Sequence, residues 1–203
     1  LFQFNPFISV FPIKQTTSNE IFVYLKKGVG QHLSFNGRIS YWQYKNFTNY
    51  LNANSASPEE MVVNYVPTLN ALQLQVGADY QIGNKITLGA QFSTIKFSNI
   101  AANTKVWHTP NTKLNADFRW QALRQLSVTA YLAFLDGNFA QDKSMQTIKL
   151  NPILDMGFGA EYLAMKKLSF FVNFNNLLNN KYQRWQGYQA YGINIYGGLR
   201  FKF

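Results

Sequence analysis

The chain has 203 residues, no cysteine, and a formal net charge of +10 from 19 basic and 9 acidic side chains. That length suits one domain with a sizeable core, and the lack of thiols excludes a disulfide framework and a thiolate metal site. Aromatic content is 17%, with 12 Tyr and 18 Phe, which favours strands and boundaries between apolar and wet surroundings.

The chain opens Leu1-Phe2-Gln3-Phe4-Asn5-Pro6. It lacks an initiator Met and a basic segment followed by an apolar run with a cleavage site, so no signal peptide is visible. Either one has been removed or the chain starts inside a longer protein. No apolar run approaches the roughly 20 residues of a spanning helix. A membrane crossing would therefore have to be a closed barrel, which satisfies its backbone hydrogen bonds in lipid.

In chain order, strands are expected near 2–11, 20–29, 32–44, 72–80, 85–98, 113–120, 126–134, 154–162, 168–174 and 193–203, about ten in all. Their common feature is a period of two, which puts alternate side chains on opposite faces. Leu72, Leu74, Val76, Ala78 and Tyr80 alternate with Gln73, Gln75, Gly77 and Asp79. Leu126, Val128, Ala130, Leu132 and Phe134 alternate with Ser127, Thr129, Tyr131 and Ala133. Ile193, Ile195, Gly197, Leu199, Phe201 and Phe203 alternate with Asn194, Tyr196, Gly198, Arg200 and Lys202.

The connections alternate too. Tight turns are expected at Gly30-Gln31, Gly83-Asn84, Leu123-Arg124 and Lys166-Lys167, and longer loops at 45–60, 99–111, 135–147 and 176–191, with a Ser-rich loop tip from Asn52 to Glu60. Every tight turn falls on the side where the chain ends. Short turns at one end and long loops at the other are the layout of an up-and-down transmembrane barrel. No interdomain linker, repeat or helical period interrupts 1–203, which reads as one all-β, antiparallel barrel segment. A soluble sandwich would also alternate. Against it stand mid-strand charges on the polar face (Asp79, Asp117, Arg119, Asp155, Arg200) and large aromatics at strand ends on the apolar face (Tyr41, Trp120, Phe134, Tyr162, Phe174, Phe203).

The segment Asn173-Phe174-Asn175-Asn176-Leu177-Leu178-Asn179-Asn180-Lys181-Tyr182 resembles the N-L-(F/L)-N-x-x-Y element after the penultimate strand of TonB-dependent receptors. In this sequence Asn176, Leu177, Leu178, Asn179 and Tyr182 carry it, and Trp185, Gly187 and Tyr188 follow as in receptors of the Bacteroidota. The ending Gly197-Gly198-Leu199-Arg200-Phe201-Lys202-Phe203 resembles the signal read by barrel-assembly machinery, with Leu199, Phe201 and Phe203 as the side chains read. The resemblance is specific over 168–203. It implies the C-terminal part of a 22-stranded barrel, although the plug domain and TonB-binding segment of such receptors are not visible. The competing reading is an autonomous ten-stranded outer-membrane barrel with a porin, structural or loop-hydrolase role.

What the resemblance implies is a Gram-negative outer-membrane protein for nutrient uptake, taking a siderophore, cobalamin, glycan or peptide. Its partners would be outer-membrane lipid, a plug, TonB, the assembly machinery and a surface lipoprotein. Trp107, Trp185, Tyr188 and Tyr191 lie in or beside long loops, where rings can stack on a ligand; the alternative is that they pack loop against loop or join an aromatic girdle. Lys113, Asp117, Arg119, Glu161, Arg200 and Lys202 would face a plug or form cross-strand ion pairs. No catalytic residue, metal or cofactor is expected. The two histidines, His32 and His108, are far apart, and only a His108 pairing with Asp136 or Asp142 offers a loop-based catalytic geometry. No phosphate-binding glycine motif occurs, and the cations are too dispersed for nucleic acid.

Overall fold

The structure is a computed structural model that describes residues 8–9, 14–52, 61–101, 104–142, 144 and 146–203. The strands, in chain order, are β1 (Ile8–Ser9), β2 (Thr17–Val29), β3 (Leu33–Asn52), β4 (Met61–Ile82), β5 (Ile86–Ser98), β6 (Thr112–Gln121) and β7 (Leu126–Asp136). They continue with β8 (Phe139–Gln141), β9 (Thr147–Lys149), β10 (Ile153–Met165), β11 (Leu168–Asn175), β12 (Gln183–Trp185), β13 (Tyr188–Gln189) and β14 (Asn194–Phe201). One sheet runs in the order β14-β11-β10-β7-β6-β5-β4-β3-β2, with β1 off this path. Every neighbour along the path is antiparallel, as an up-and-down meander requires. Strands β8–β9 and β12–β13 form two small hairpins inside long loops.

The four tight turns fall where the sequence puts them. Gly30 and Gly83 adopt φ of +64° and +56°, the left-handed geometry that a short hairpin turn needs and glycine reaches without steric cost.

Two expectations change. The first strand does not enter the meander. Of 2–11, only Ile8–Ser9 is described, and it pairs in parallel with Met61 and Val62. The reason lies in strand length: β5 pairs β4 only from Asn70 onward, so the upper flank of β4 has no β5 partner. The loop expected at 45–60 also shrinks, because the ladder between β3 and β4 continues to Asn52 and Met61 without a change of register. The Ser-rich tip lies, apart from Asn52, outside the described residues.

The register lines up one apolar face across nine strands. Val23, Ile39, Leu74 and Thr94 are successive neighbours, and Leu88, Phe118, Ala130, Phe158, Phe174 and Ile195 continue along β5 to β14. No second layer covers this face among the described residues: Phe170 and Leu199 stay 47% and 65% exposed. The opposite face is polar but crowded, because large side chains lie across glycines on the next strand. Tyr131 occupies the space above Gly157 and Asp117 the space above Gly89, leaving no room for a side chain at either glycine. Two ion pairs lie on this face, Arg38–Glu20 at 2.6 Å and Arg200–Glu161 at 2.7 Å. Lys113, Asp117, Arg119 and Lys202 form none among the described residues.

The sheet is open. Among the described residues, β2 and β14 are its outer members and do not pair with each other. A free 13-residue edge such as β2 is a template for further strands.

Candidate functional site

The long-loop end of the sheet is where the chain builds a packed interior. Strands β3 and β4 run for 20 and 22 residues, whereas about 9–11 tilted residues cross a bilayer. The upper half of this hairpin therefore stands above the rest of the sheet as a post. It presents Tyr44, Phe47, Val66 and Leu69, against which Phe97, Ile100 and Val106 pack; Leu69 is fully buried.

Asn49, on the post, organises the loop at 99–111. It is 1% exposed, its Nδ2 donates to the Lys105 carbonyl at 2.8 Å, and its Oδ1 accepts from the Trp107 N–H at 3.0 Å. One side chain thus satisfies a carbonyl and an N–H of an otherwise irregular buried segment. The next N–H, of His108, donates to the Phe139 carbonyl at 2.8 Å and couples this loop to the β8–β9 hairpin. Asn138 Nδ2 donates to the Arg184 carbonyl at 2.8 Å and couples that hairpin to β12–β13. The His108 ring stacks on Trp185 at a centroid distance of 4.4 Å, and Tyr50 meets the same indole edge-on at 5.8 Å. Three loops and the post are therefore one assembly.

Burial dominates the electrostatics of His108. It lowers the imidazole from 6.5 to about 4, against a smaller opposing pull from the Arg184 carbonyl. Among the described residues, its Nδ1 and the Trp107 Nε1 are buried without a hydrogen-bond partner. The His–Asp pairing that catalysis would need does not form. Asp136 is ion-paired with Lys149 at 2.8 Å, and Asp142 Oδ1 accepts from the N–H groups of Ser144 and Gln146.

The receptor-like motif forms the hinge of the last loop. Asn176 sits at φ +49°, a conformation Asn tolerates better than most residues. Its Nδ2 donates to the carbonyls of Asn180 and Tyr191 at 2.9 and 2.7 Å, and its Oδ1 accepts from the Asn180 N–H. Asn179 Oδ1 accepts from the Ile193 N–H. Leu177 N–H and Asn180 Nδ2 tie the start of the loop to β10 through the carbonyls of Met156 and Leu154. Tyr182 O–H donates to Asp155 at 2.9 Å. Burial and that carboxylate push the Tyr182 phenol up to about 12. The motif is thus a clasp: Asn, Asn and Tyr each close a specific part of the loop onto the last strands.

Of the four aromatics expected to contact ligand, Trp107 is 4% exposed and packed between loops. Trp185 is half-buried between His108 and Tyr50. Tyr188 and Tyr191 are 55% and 89% exposed. The structure therefore divides them into two that join the loop assembly and two that remain free at its surface. Asn49 and Asn138, which hold this end together, carry no local sequence signal, since their partners lie 56 and 46 residues away.

No protein-family profile and no curated protein matches the sequence. Solved structures do match. The copper transporter OprC aligns with a TM-score of 0.72 at 12% identity, over 93% of this chain and 31% of that one. The siderophore receptor PirA from Acinetobacter baumannii gives 0.73 at 14% identity, over 93% and 32%. The FrpB iron transporter from Neisseria meningitidis gives 0.68 at 16%, over 97% and 33%.

The chain has, over most of its own length, the fold that these three proteins share.

It spans about a third of the length of the receptors it matches. Those proteins are transporters and receptors. In this fold the strand-by-strand layout has a direct meaning: the tight turns lie at one rim of a barrel wall and the locked loops at the other.

Proposed function

We propose that this chain is the C-terminal wall of an outer-membrane receptor that takes up a scarce nutrient, its long loops facing outward and its tight turns facing the periplasm. The observation that carries the reading is the apolar face aligned over nine strands, set back to back with a charged face, on a sheet whose outer strands do not pair with each other among the described residues. A soluble fold would have to cover the apolar face; a lipid bilayer covers it without a second layer. Outer strands that do not pair with each other among the described residues favour a larger barrel, closed by further strands, over an autonomous ten-stranded one. The polar face is then the lumen, where Asp117 and Arg119, in no ion pair among the described residues, line with Asn173 and Asn175 a depression of about 230 Å³ suited to a polar plug surface.

The ligand class is a metal chelate or another small nutrient such as a cobalamin, glycan or peptide, and the matched receptors for copper, siderophore and iron favour a metal-bearing one. Tyr188 and Tyr191 are the ligand-facing aromatics, while Trp107 and Trp185 set the frame that holds them. TonB, a plug, the assembly machinery reading Leu199, Phe201 and Phe203, and a surface lipoprotein are the partners of this reading. The test is extraction and uptake by the full-length protein. Detergent dependence and heat-modifiable gel mobility are expected, together with ligand uptake that falls when Tyr188 and Tyr191 are both replaced by Ala. A protein soluble without detergent sinks the proposal.

A further inference from the structure

The charge on this chain is not spread evenly between the two ends of the wall. The tight turns read Gly30-Gln31-His32, Gly83-Asn84-Lys85, Ala122-Leu123-Arg124-Gln125 and Lys166-Lys167, and none contains an acid. Lys85, Arg124, Lys166 and Lys167 are exposed there, and Lys27 joins them on the apolar face, two residues before β2 ends. None of these five forms an ion pair among the described residues. The nearest strand acids, Asp79, Asp117 and Glu161, belong to the polar face, and Glu161 is already paired with Arg200 and hydrogen-bonded by Ser169. At the opposite end the charges are mixed, with Lys149 paired to Asp136 and Asp142 close by in the same loop.

Directly above this basic rim, on the apolar face, lies a row of aromatics. Tyr80 pairs Leu88, Trp120 pairs Ile86, and Tyr162 pairs Leu126 and Phe170. Phe203 follows β14, edge-on to Phe201 at 5.4 Å. Aromatic rings of this kind settle at the level of lipid headgroups. Cations just beyond such a belt stand at the height of the headgroup phosphates, where long basic side chains reach while their stems stay against apolar surface.

We infer that the turn-side rim is a binding surface for anionic phospholipid headgroups of the inner leaflet, with Lys85, Arg124, Lys166, Lys167 and Lys27 as the phosphate contacts. The inference rests on the membrane-embedded reading above and adds a lipid specificity to it. Spacing favours lipid over an acidic protein. Successive turns are two strands apart, or roughly 10 Å, so the cations form a row along the wall instead of one compact patch. A row of this kind suits many small anions side by side.

The test uses the full-length receptor in mild detergent, equilibrated with equal amounts of phosphatidylglycerol and phosphatidylcholine, with retained lipid counted by native mass spectrometry. Wild type should retain phosphatidylglycerol over phosphatidylcholine by about fivefold or more. That preference should shrink as salt rises from about 0.05 to about 1 M, since rim contacts are screened. The combined variant Lys85→Gln, Arg124→Gln, Lys166→Gln, Lys167→Gln should fall to near parity. A charge-matched control at the other end, Lys45→Gln, Lys96→Gln, Lys113→Gln, Lys181→Gln, should keep the wild-type preference. Equal retention by rim variant and wild type overturns the inference, as does a control variant that loses as much, or a preference indifferent to salt. A wild type that needs detergent yet shows no preference overturns this inference alone. A wild type soluble without detergent overturns the membrane reading with it.

Discussion

The imidazole of His108 lies nearly flat on the indole of Trp185, with 20° between the ring planes and 4.4 Å between the centroids. These residues belong to loops 77 positions apart (185 − 108), and the contact joins the loop after β5 to the loop after β11. Because His108 is 9% exposed and its Nδ1 has no hydrogen-bond partner among the described residues, the stack favours the neutral ring.

That preference sets a pH window. The docked imidazole titrates at about 4, and the undocked one near 6.5. Above 6.5 both states are neutral and docking is at full strength. As pH falls below 6.5 the undocked loop gains a proton that the docked loop refuses, so docking weakens down to about 4 and levels off below it. The loss over that interval is on the order of 3 kcal/mol. Limited proteolysis of the loops between pH 7 and 4 should show cleavage rising as pH falls, and His108→Gln should flatten the profile. An unchanged slope in the variant would show that another group drives the effect.

Asn176 should be the most sensitive residue of the clasp. Replacement by Ala removes its bonds to Asn180 and Tyr191 and leaves a residue with a Cβ and no compensating contacts at φ +49°. The bonds account for about 1–3 kcal/mol and the backbone for about 1–2 more. Asn176→Gly keeps the backbone relaxed and loses only the bonds, so it should fall between Ala and wild type in the temperature at which heat-modifiable mobility is lost. If Gly and Ala are equally damaging, the backbone conformation is not the second contribution.

Tyr182→Phe is milder. It removes one donor to Asp155, which keeps the weaker Tyr131 contact at 3.3 Å, and should cost about 1.5–3 kcal/mol as a bond to a charged group. The specific signature is optical. Wild type should contain a tyrosine that ionises near pH 12, and that late step should be missing from the variant's alkaline absorbance titration.

How far such a structure can be read in advance depends on the range of the forces involved. The wall was legible because its rule is local: period two, with Gly30 and Gly83 marking reversals. The clasp was legible only by resemblance, since nothing in the order Asn176-Leu177-Leu178-Asn179 says that Asn176 will donate to the Tyr191 carbonyl. The post was misread as loop because Lys45-Asn46-Phe47-Thr48-Asn49 is polar and contains a residue at φ +51°, Asn46. The ladder with β4 outweighs that local preference. For Trp107 the sequence leaves open a ring on ligand or a ring packed between loops; its burial follows from Asn49, 58 positions earlier in the chain, which no local pattern announces.

The crowding on the polar face offers a test of packing. Gly157→Ala would place a methyl where the Tyr131 ring lies, and overpacking of this kind costs about 1–3 kcal/mol. Tyr131→Ala alone loses the contacts to Asp155 and Asn175. The double variant removes the clash, so its loss should be smaller than the sum of the singles by more than about 0.5 kcal/mol. Additive losses would mean that the ring moves aside without cost.

The decisive pair for the wall is Leu132 and Ala133, adjacent residues on opposite faces of β7. Leu132 pairs Ala116 and Met156 on the apolar face, between Phe134, two residues on, and Val128, the partner of Trp120, four residues back. Ala133 pairs Asn115 and Asp155 on the polar face. An Arg at the bilayer midplane on the lipid side of a barrel costs about 2–4 kcal/mol. Leu132→Arg should therefore cut the folded, heat-modifiable fraction sharply in refolding from urea into phospholipid vesicles. Ala133→Arg points a cation at water with Asp155 nearby and should stay within about 0.5 kcal/mol of wild type. The contrast depends on which face meets lipid, because both substitutions add the same charge one position apart. Equal damage from the two, or the reverse order, would mean that the apolar side of this sheet does not face hydrocarbon.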